Sequence, residues 1–184
     1  MERLVIDTET TGLRTYHNQI LTVGMVLIDV TPKKLEFIDE THLLIKHEEY
    51  NVSRMAMAIN KINLKEHHKI GIFPDKACDK MHEFIDKNIL YKTPLLGHNV
   101  HFDINFLSAL FDEVRIKYPF CNEKEDTRYI WQDFKKKGLI SPFTNAKLGT
   151  IASHFNIDYT KAHNALDDCK ITAKVYHRLL GMKE

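Results

Sequence analysis

The segment Val5-Ile6-Asp7-Thr8-Glu9-Thr10-Thr11-Gly12-Leu13 places two carboxylates two residues apart at the end of an apolar run. In a β-strand, residues i and i+2 point to the same face, so Asp7 and Glu9 would be held side by side. Two like charges at that distance repel, and each disfavours ionisation of the other unless a cation is shared between them. The chain must therefore fold so that this strand ends at a place where a cation, and further acidic groups to complete its site, can be brought in. Gly12 interrupts the strand pattern directly afterwards.

The length of 184 residues, with 43% apolar and 28% charged residues, suits one domain over positions 1–184 built round one core. A formal charge of +1 argues against a protein that holds a polyanion through lysine and arginine alone. It leaves room for a metal-dependent site, where bound cations supply the positive charge. Cys78, Cys121 and Cys169 form no CxxC pair, which reads as reduced thiols in a cytoplasmic protein, each serving as a small buried hydrophobe. Asp7 and Glu9 break any apolar core of a signal peptide, and no apolar stretch is long enough to span a bilayer.

Periodicity predicts the elements. Leu4 to Ile6 reads as a short buried strand. Ile20 to Val30 is a long apolar run that turns at Thr31-Pro32-Lys33-Lys34. From Leu35 to Ile45, Phe37, Leu43 and Ile45 at odd positions have the period of a strand. These three make an antiparallel meander. Glu48 to Lys69 is polar, a short helix amid loop. Pro74-Asp75 opens an amphipathic helix with Ala77, Met81, Phe84, Ile85 and Ile89 on one face. Thr93 to Gly97 is a second buried strand, followed by a helix bearing Ile104, Leu107, Leu110 and Phe111. Leu148, Ile151, Ala152 and Phe155 mark another helix. The last, from about Asn164 to Leu180, aligns Ala165, Cys169, Thr172, Ala173, Tyr176 and Leu180. The order implies an α/β fold, a mixed sheet covered by helices, with no repeat or linker.

Two further segments carry acidic groups. Gly97-His98-Asn99-Val100-His101-Phe102-Asp103 puts Asp103 near the first turn of a helix, and His163 to Asp168 opens the last helix. Each Asp alone has a simple structural explanation, because an acid near a helix N-terminus is favoured by the dipole. The set is more specific. Asp7-Thr8-Glu9-Thr10-Thr11-Gly12-Leu13, then His98-Asn99 with Phe102-Asp103, then His163 five before Asp168, resemble in order and spacing the three motifs of the DEDDh exonucleases, the DnaQ-like proofreading family. A sister branch has tyrosine four before the last Asp, where this chain has Asn164, so the resemblance selects the histidine branch. Asp126-Thr127 and Lys147-Leu148-Gly149 resemble lesser family features. Ser53, Ala56 and Asn60-Lys61-Ile62 resemble its substrate loop, with Asn-Lys-Ile where His-Gly-Ile is common.

The resemblance implies a ribonuclease H-like fold with an antiparallel three-strand meander plus parallel strands. It also implies a 3′→5′ exonuclease that releases 5′-mononucleotides from single-stranded DNA. Asp7, Glu9, Asp103, His163 and Asp168 are then the catalytic set. Four carboxylates are an oxygen-rich site suited to two divalent cations, Mg²⁺ or Mn²⁺, about 3.5–4 Å apart. No His or Cys cluster has zinc spacing. On the family pattern Asp7 bridges the two ions, Glu9 and Asp168 hold the one beside the attacking water, Asp103 supports the second, and His163 is the general base. Thr10, Thr11, Gly12 and Leu13 are expected to meet the 3′-terminal nucleotide, Gly12 by close backbone approach and Leu13 as a wedge against the last base. Asn60, Ile62, His98, Asn99 and Phe102 are expected to line the same cleft, although alternation with an outward-facing Asp103 also suits Phe102 to the core. Lys135-Lys136-Lys137 reads first as a solvated helix end and second as a phosphate track.

The expected partner is a single-stranded 3′ end, with a DNA polymerase as a further partner. An exoribonuclease or oligoribonuclease is the nearest alternative, because only contact to the 2′-hydroxyl separates RNA from DNA. A non-catalytic module that binds a polymerase or a nucleic-acid end has no reason to hold four repelling carboxylates. Endonuclease or integrase activity on the same fold fits the His163 spacing less well.

Overall fold

Strand β1 (Glu2–Thr10) lies at the centre of a five-stranded sheet of order β3-β2-β1-β4-β5, with β2 Ile20–Thr31, β3 Lys34–Leu44, β4 Leu95–Gly97 and β5 Lys124–Asp126. The computed structural model describes residues 1–160 and 163–182. β1 pairs antiparallel with β2, and β2 with β3, while β4 and β5 add parallel to the other side of β1. This is the mixed sheet expected from the order of elements.

The two-residue period of β1 decides what covers each face. Leu4 and Ile6 join a core with Met81, Ile85, Leu107 and Phe111, from α3 (Pro74–Asn88) and α4 (His101–Glu113). Val5 faces the other way, onto Cys169, Ala173 and Tyr176 of α7 (Ala165–Gly181). A third cluster joins α7 to α5 (Thr127–Lys136) and α6 (Leu148–His154), with Trp131 and Ile151 fully buried. Burying such side chains supplies roughly 1.5–3 kcal/mol each, enough to hold short α6 in place without strong propensity of its own. Among the described residues no helix is long and apolar enough to cross a membrane.

Three sequence expectations change. Phe37 does not share the buried face of Leu43, because the β2–β3 register shifts between Leu27 and Ile28, and Phe37 and Ile38 are both exposed. Such an extra residue breaks the two-residue period. Ile89 does not extend the apolar face of α3: it closes the helix in the left-handed conformation (φ 57°), pointing outward, and Leu90 is buried instead. The polar stretch after Glu48 forms two helices, α1 (Arg54–Asn60) and α2 (Leu64–Ile70), the second capped by the Asn63 side chain on the N–H groups of Lys65 and Glu66.

Candidate active site

Asp7 and Glu9 are odd-numbered, so they extend the Val5 face of β1 toward the start of α7. There they meet Asp168: each of the three offers a carboxylate oxygen, and these atoms lie within 4.8 Å of one another. Asn164 caps α7 by accepting from the N–H groups of Leu166 and Asp167, which fixes where its first turn begins. Close approach of that turn to the sheet requires Gly24 on β2, where a Cβ would stand 2.4 Å from the Ala165 carbonyl oxygen. Cys169 then packs its thiol 3.3 Å from the Gly24 carbonyl.

Asp103 arrives from the opposite face, on the first turn of α4. It is buried, not outward-facing, and its Oδ1 accepts from the Thr8 N–H at 2.9 Å and the Thr8 hydroxyl at 2.7 Å. Even-numbered Thr8 faces α4 as Asp7 and Glu9 face α7, and this separates Asp103 from the group of three. Phe102 beside it is half-buried, packs on the core and meets Phe106 at a tilt of 46°, ring centres 4.8 Å apart.

The acids sit where each disfavours ionisation of the others, an arrangement that could hold a metal ion. Burial first, then repulsion from Asp103, Asp168 and Glu9, raises Asp7 well above the usual carboxylate range. Burial and the charges of Asp168 and Asp103 push Glu9 up to about 7. Burial lifts Asp103 to about 7 against the opposing hydrogen bonds from Thr8, and Asp168 to about 6 against the N–H of His163. Asp168 Oδ1 is buried and has no hydrogen-bond partner among the described residues. A buried carboxylate oxygen without a donor is costly, and here it borders the other two acids.

His163 is exposed and left-handed (φ 73°), its N–H donating to Asp168 Oδ2 at 3.2 Å. Its ring meets the edge of Tyr159, centre to centre 6.3 Å. Tyr159 is pushed up to about 12 by burial and by Asp168, Asp7 and Glu9. No sequence motif marked Tyr159; its position four before His163 gave no signal.

The turn after β1 is internally bonded. Thr10 donates its hydroxyl to the Gly12 carbonyl, Thr11 is fully buried and exchanges bonds with Gln19, and the Asn18 side chain packs where a Gly12 Cβ would stand. Leu13 is left at the tip, 77% exposed. Asn60 is buried, its amide donating to the Thr10 carbonyl and accepting from the half-buried Ile62 N–H, so it braces the turn from α1. Both ring nitrogens of His98 are engaged, by the Thr127 hydroxyl and the Ala146 carbonyl. Asn99 accepts from Arg128 at 2.8 Å. Asp126 closes β5 and caps α5; its carboxylate takes the N–H groups of Asn99, Val100 and Arg128, fixing the approach to α4.

A family model described as an exonuclease, of the RNase T group, matches residues 4–176. The chain belongs to the RNase T exonuclease family. It is similar to a ribonuclease T of Wigglesworthia glossinidia brevipalpis, 27% identical over 186 residues, which cover 97% of this chain and 84% of that one. It is also similar to a DNA polymerase III PolC-type of Clostridium perfringens (strain 13 / Type A), 26% identical over 178 residues, covering 95% of this chain and 11% of the polymerase. The chain thus spans about a tenth of its PolC-type relatives. The nuclease domain of 3′hExo, a DEDDh family member bound to rAMP, superposes with a TM-score of 0.78 at 21% identity, covering 97% of this chain and 91% of that domain. E. coli Exonuclease I in complex with a dT13 oligonucleotide gives 0.79 at 16% identity, over 96% and 40%. These likenesses show the fold, and with the family match they bear out the DEDDh resemblance read from the three motifs.

Proposed function

We propose that this chain is one exonuclease domain that hydrolyses phosphodiester bonds from the free 3′ end of single-stranded DNA, releasing 5′-mononucleotides with the help of two divalent cations. The observation that carries the reading is the convergence of Asp7, Glu9 and Asp168 within 4.8 Å with an unpartnered, buried Asp168 oxygen among them. Hard oxygen donors with raised proton affinity suit Mg²⁺ or Mn²⁺, and the three carboxylates would hold them with Asp103 in support. When bound, the cations supply charge neutralisation and Lewis-acid stabilisation at the phosphate oxygens.

The chain's own residues do the rest. His163 stands exposed beside Asp168 and takes the proton from the attacking water as general base. The bonded turn Thr10–Gly12 presents Leu13, an apolar surface for the terminal base. Asn60 holds that turn against α1, and Asp126 holds Asn99 and the start of α4, so the substrate-facing atoms are fixed before binding.

DNA is preferred on the PolC-type relatives. The similar ribonuclease T of Wigglesworthia favours RNA as a second reading. Association with a DNA polymerase is part of the first reading only, and recovery of the chain alone when a replicative polymerase is purified from the same cells would remove it. The deciding experiment digests matched, 5′-labelled DNA and RNA single strands, free or blocked at the 3′ end, with Mg²⁺, Mn²⁺ or chelator. The proposal expects a ladder shortening from the free 3′ end, only with metal and faster on DNA. Cutting of the blocked strand, release of internal fragments, or activity in chelator overturns it.

A further inference from the structure

A groove of about 790 Å³ opens at the tip of β4. Its lining includes Ile59 of α1, His98 and Asn99 after β4, Arg128 and Lys135 of α5, and Lys147 at the start of α6. Ile59 adjoins Asn60, which bonds the Thr10 carbonyl, so the groove lies near the end of β1, where the turn that follows it starts. We propose that this groove binds the sugar–phosphate backbone of the strand on the 5′ side of the terminal nucleotide, with Arg128, Lys135 and Lys147 meeting phosphates. The proposal rests on the exonuclease reading for what occupies the neighbouring site.

Charge and placement support it. Three cations and no acid lie among the residues lining the groove, in a chain whose formal charge is only +1. A second hollow, of about 610 Å³ beside Thr15–Gln19, is lined by Glu48, Glu49, Asp112 and Glu113 and repels a polyanion. Arg128 and Lys135 are seven residues apart, two helical turns on one face of α5. Arg128 is held by Asn99 and Lys135 by the Thr144 carbonyl, which fixes both side chains and leaves each with further donors. Lys137, by contrast, is paired with Asp133 at 2.6 Å, so the basic run divides between groove and surface.

The test measures anisotropy of a fluorescent ten-nucleotide DNA strand over a series of NaCl concentrations, with calcium replacing magnesium. The Arg128→Ala/Lys147→Ala double variant is expected to bind about tenfold more weakly at 0.1 M salt. Its slope of log affinity against log salt becomes shallower by about 1.4, two contacts at ~0.7 each. Lys147→Glu alone, at an exposed position, repeats the effect should the double variant not fold. Affinity and slope equal to wild type overturn the proposal. A second readout is the ratio of kcat/KM for the decanucleotide to that for the p-nitrophenyl ester of thymidine 5′-phosphate, which has no upstream strand. The ratio is expected to fall about tenfold; equal loss on both substrates overturns the groove. A wild-type protein that binds through the groove but hydrolyses neither substrate with Mg²⁺ or Mn²⁺ sinks the exonuclease reading and leaves the groove standing.

Discussion

The N–H of His163 donates to Asp168 Oδ2 at 3.2 Å, joining the two residues through the main chain and leaving the imidazole free of that bond. His163→Ala therefore keeps the contact. The expected outcome is a loss of turnover of about 10²–10⁴-fold with Mn²⁺ affinity, read by calorimetry, changed less than about threefold, within ~0.7 kcal/mol. Wild-type turnover in the variant removes His163 from the mechanism.

The raised carboxylates make a stability prediction whose sign follows from linkage. Glu9 at about 7 and Asp168 at about 6 lie above their values in an unfolded chain. Folded protein then holds protons that unfolded protein has released, so this contribution is full below about pH 4 and is lost as pH rises through 6 to 7. A tenfold difference in proton affinity between folded and unfolded chain is worth about 1.4 kcal/mol, and about 2–4 °C accompanies each kcal/mol in a chain of this size. Through these acids, metal-free protein should melt several degrees lower at pH 8 than at pH 5, and Mg²⁺ or Mn²⁺ should restore the difference at pH 8 but add little at pH 5. Thermal melts with chelator and with metal check it; a metal effect independent of pH would contradict the assignment.

Much of this was legible in the sequence because its signals are local. The i, i+2 rule placed Asp7 and Glu9 on one face, the long apolar run gave β2, a two-residue period that the register shift interrupts at Phe37 gave β3, and the spacing from His163 to Asp168 marked the start of α7. Three-dimensional relations were hidden. Asp103 read as outward-facing because periodicity says nothing of how α4 meets the strand end, where Thr8 turns that carboxylate inward. Asn60 read as a substrate contact, yet its amide is spent bracing Thr10, a bond between residues fifty apart in sequence. Arg128 and Lys147 come together only once α5 and α6 pack on α7, so although the sequence marked Lys135 in a basic run and Lys147 beside Leu148, nothing in it joined them to Arg128 in one groove.

Asp126 offers a test of structural against catalytic carboxylates. It is buried and accepts three backbone N–H groups, and it lies outside the acidic cluster. Asp126→Ala strands those donors and should cost about 3 kcal/mol, a fall in Tm of roughly 6–12 °C. Asp126→Asn should fall between, since one oxygen still accepts. A variant that keeps its Tm yet loses kcat would make Asp126 part of the chemistry.

Gly24→Ala tests how tightly the site depends on the seating of α7. The new methyl would meet the Ala165 carbonyl oxygen, main chain that cannot swing aside as a side chain can, so the helix start must move off the sheet. Overpacking of this kind costs about 1–3 kcal/mol, or roughly 2–12 °C in Tm. Asp168 rides the first turn of that helix, and displacement by even an ångström costs catalysis about 100-fold. Activity should therefore fall further than stability predicts, and Mn²⁺ should bind more weakly. Gly181→Ala, at the far end of the same helix with only the Pro32 carbonyl 4.0 Å away, is the control and should leave both unchanged. Equal activity in Gly24→Ala and Gly181→Ala would mean that the carboxylate cluster tolerates a shifted α7, and that its geometry is set by β1 alone.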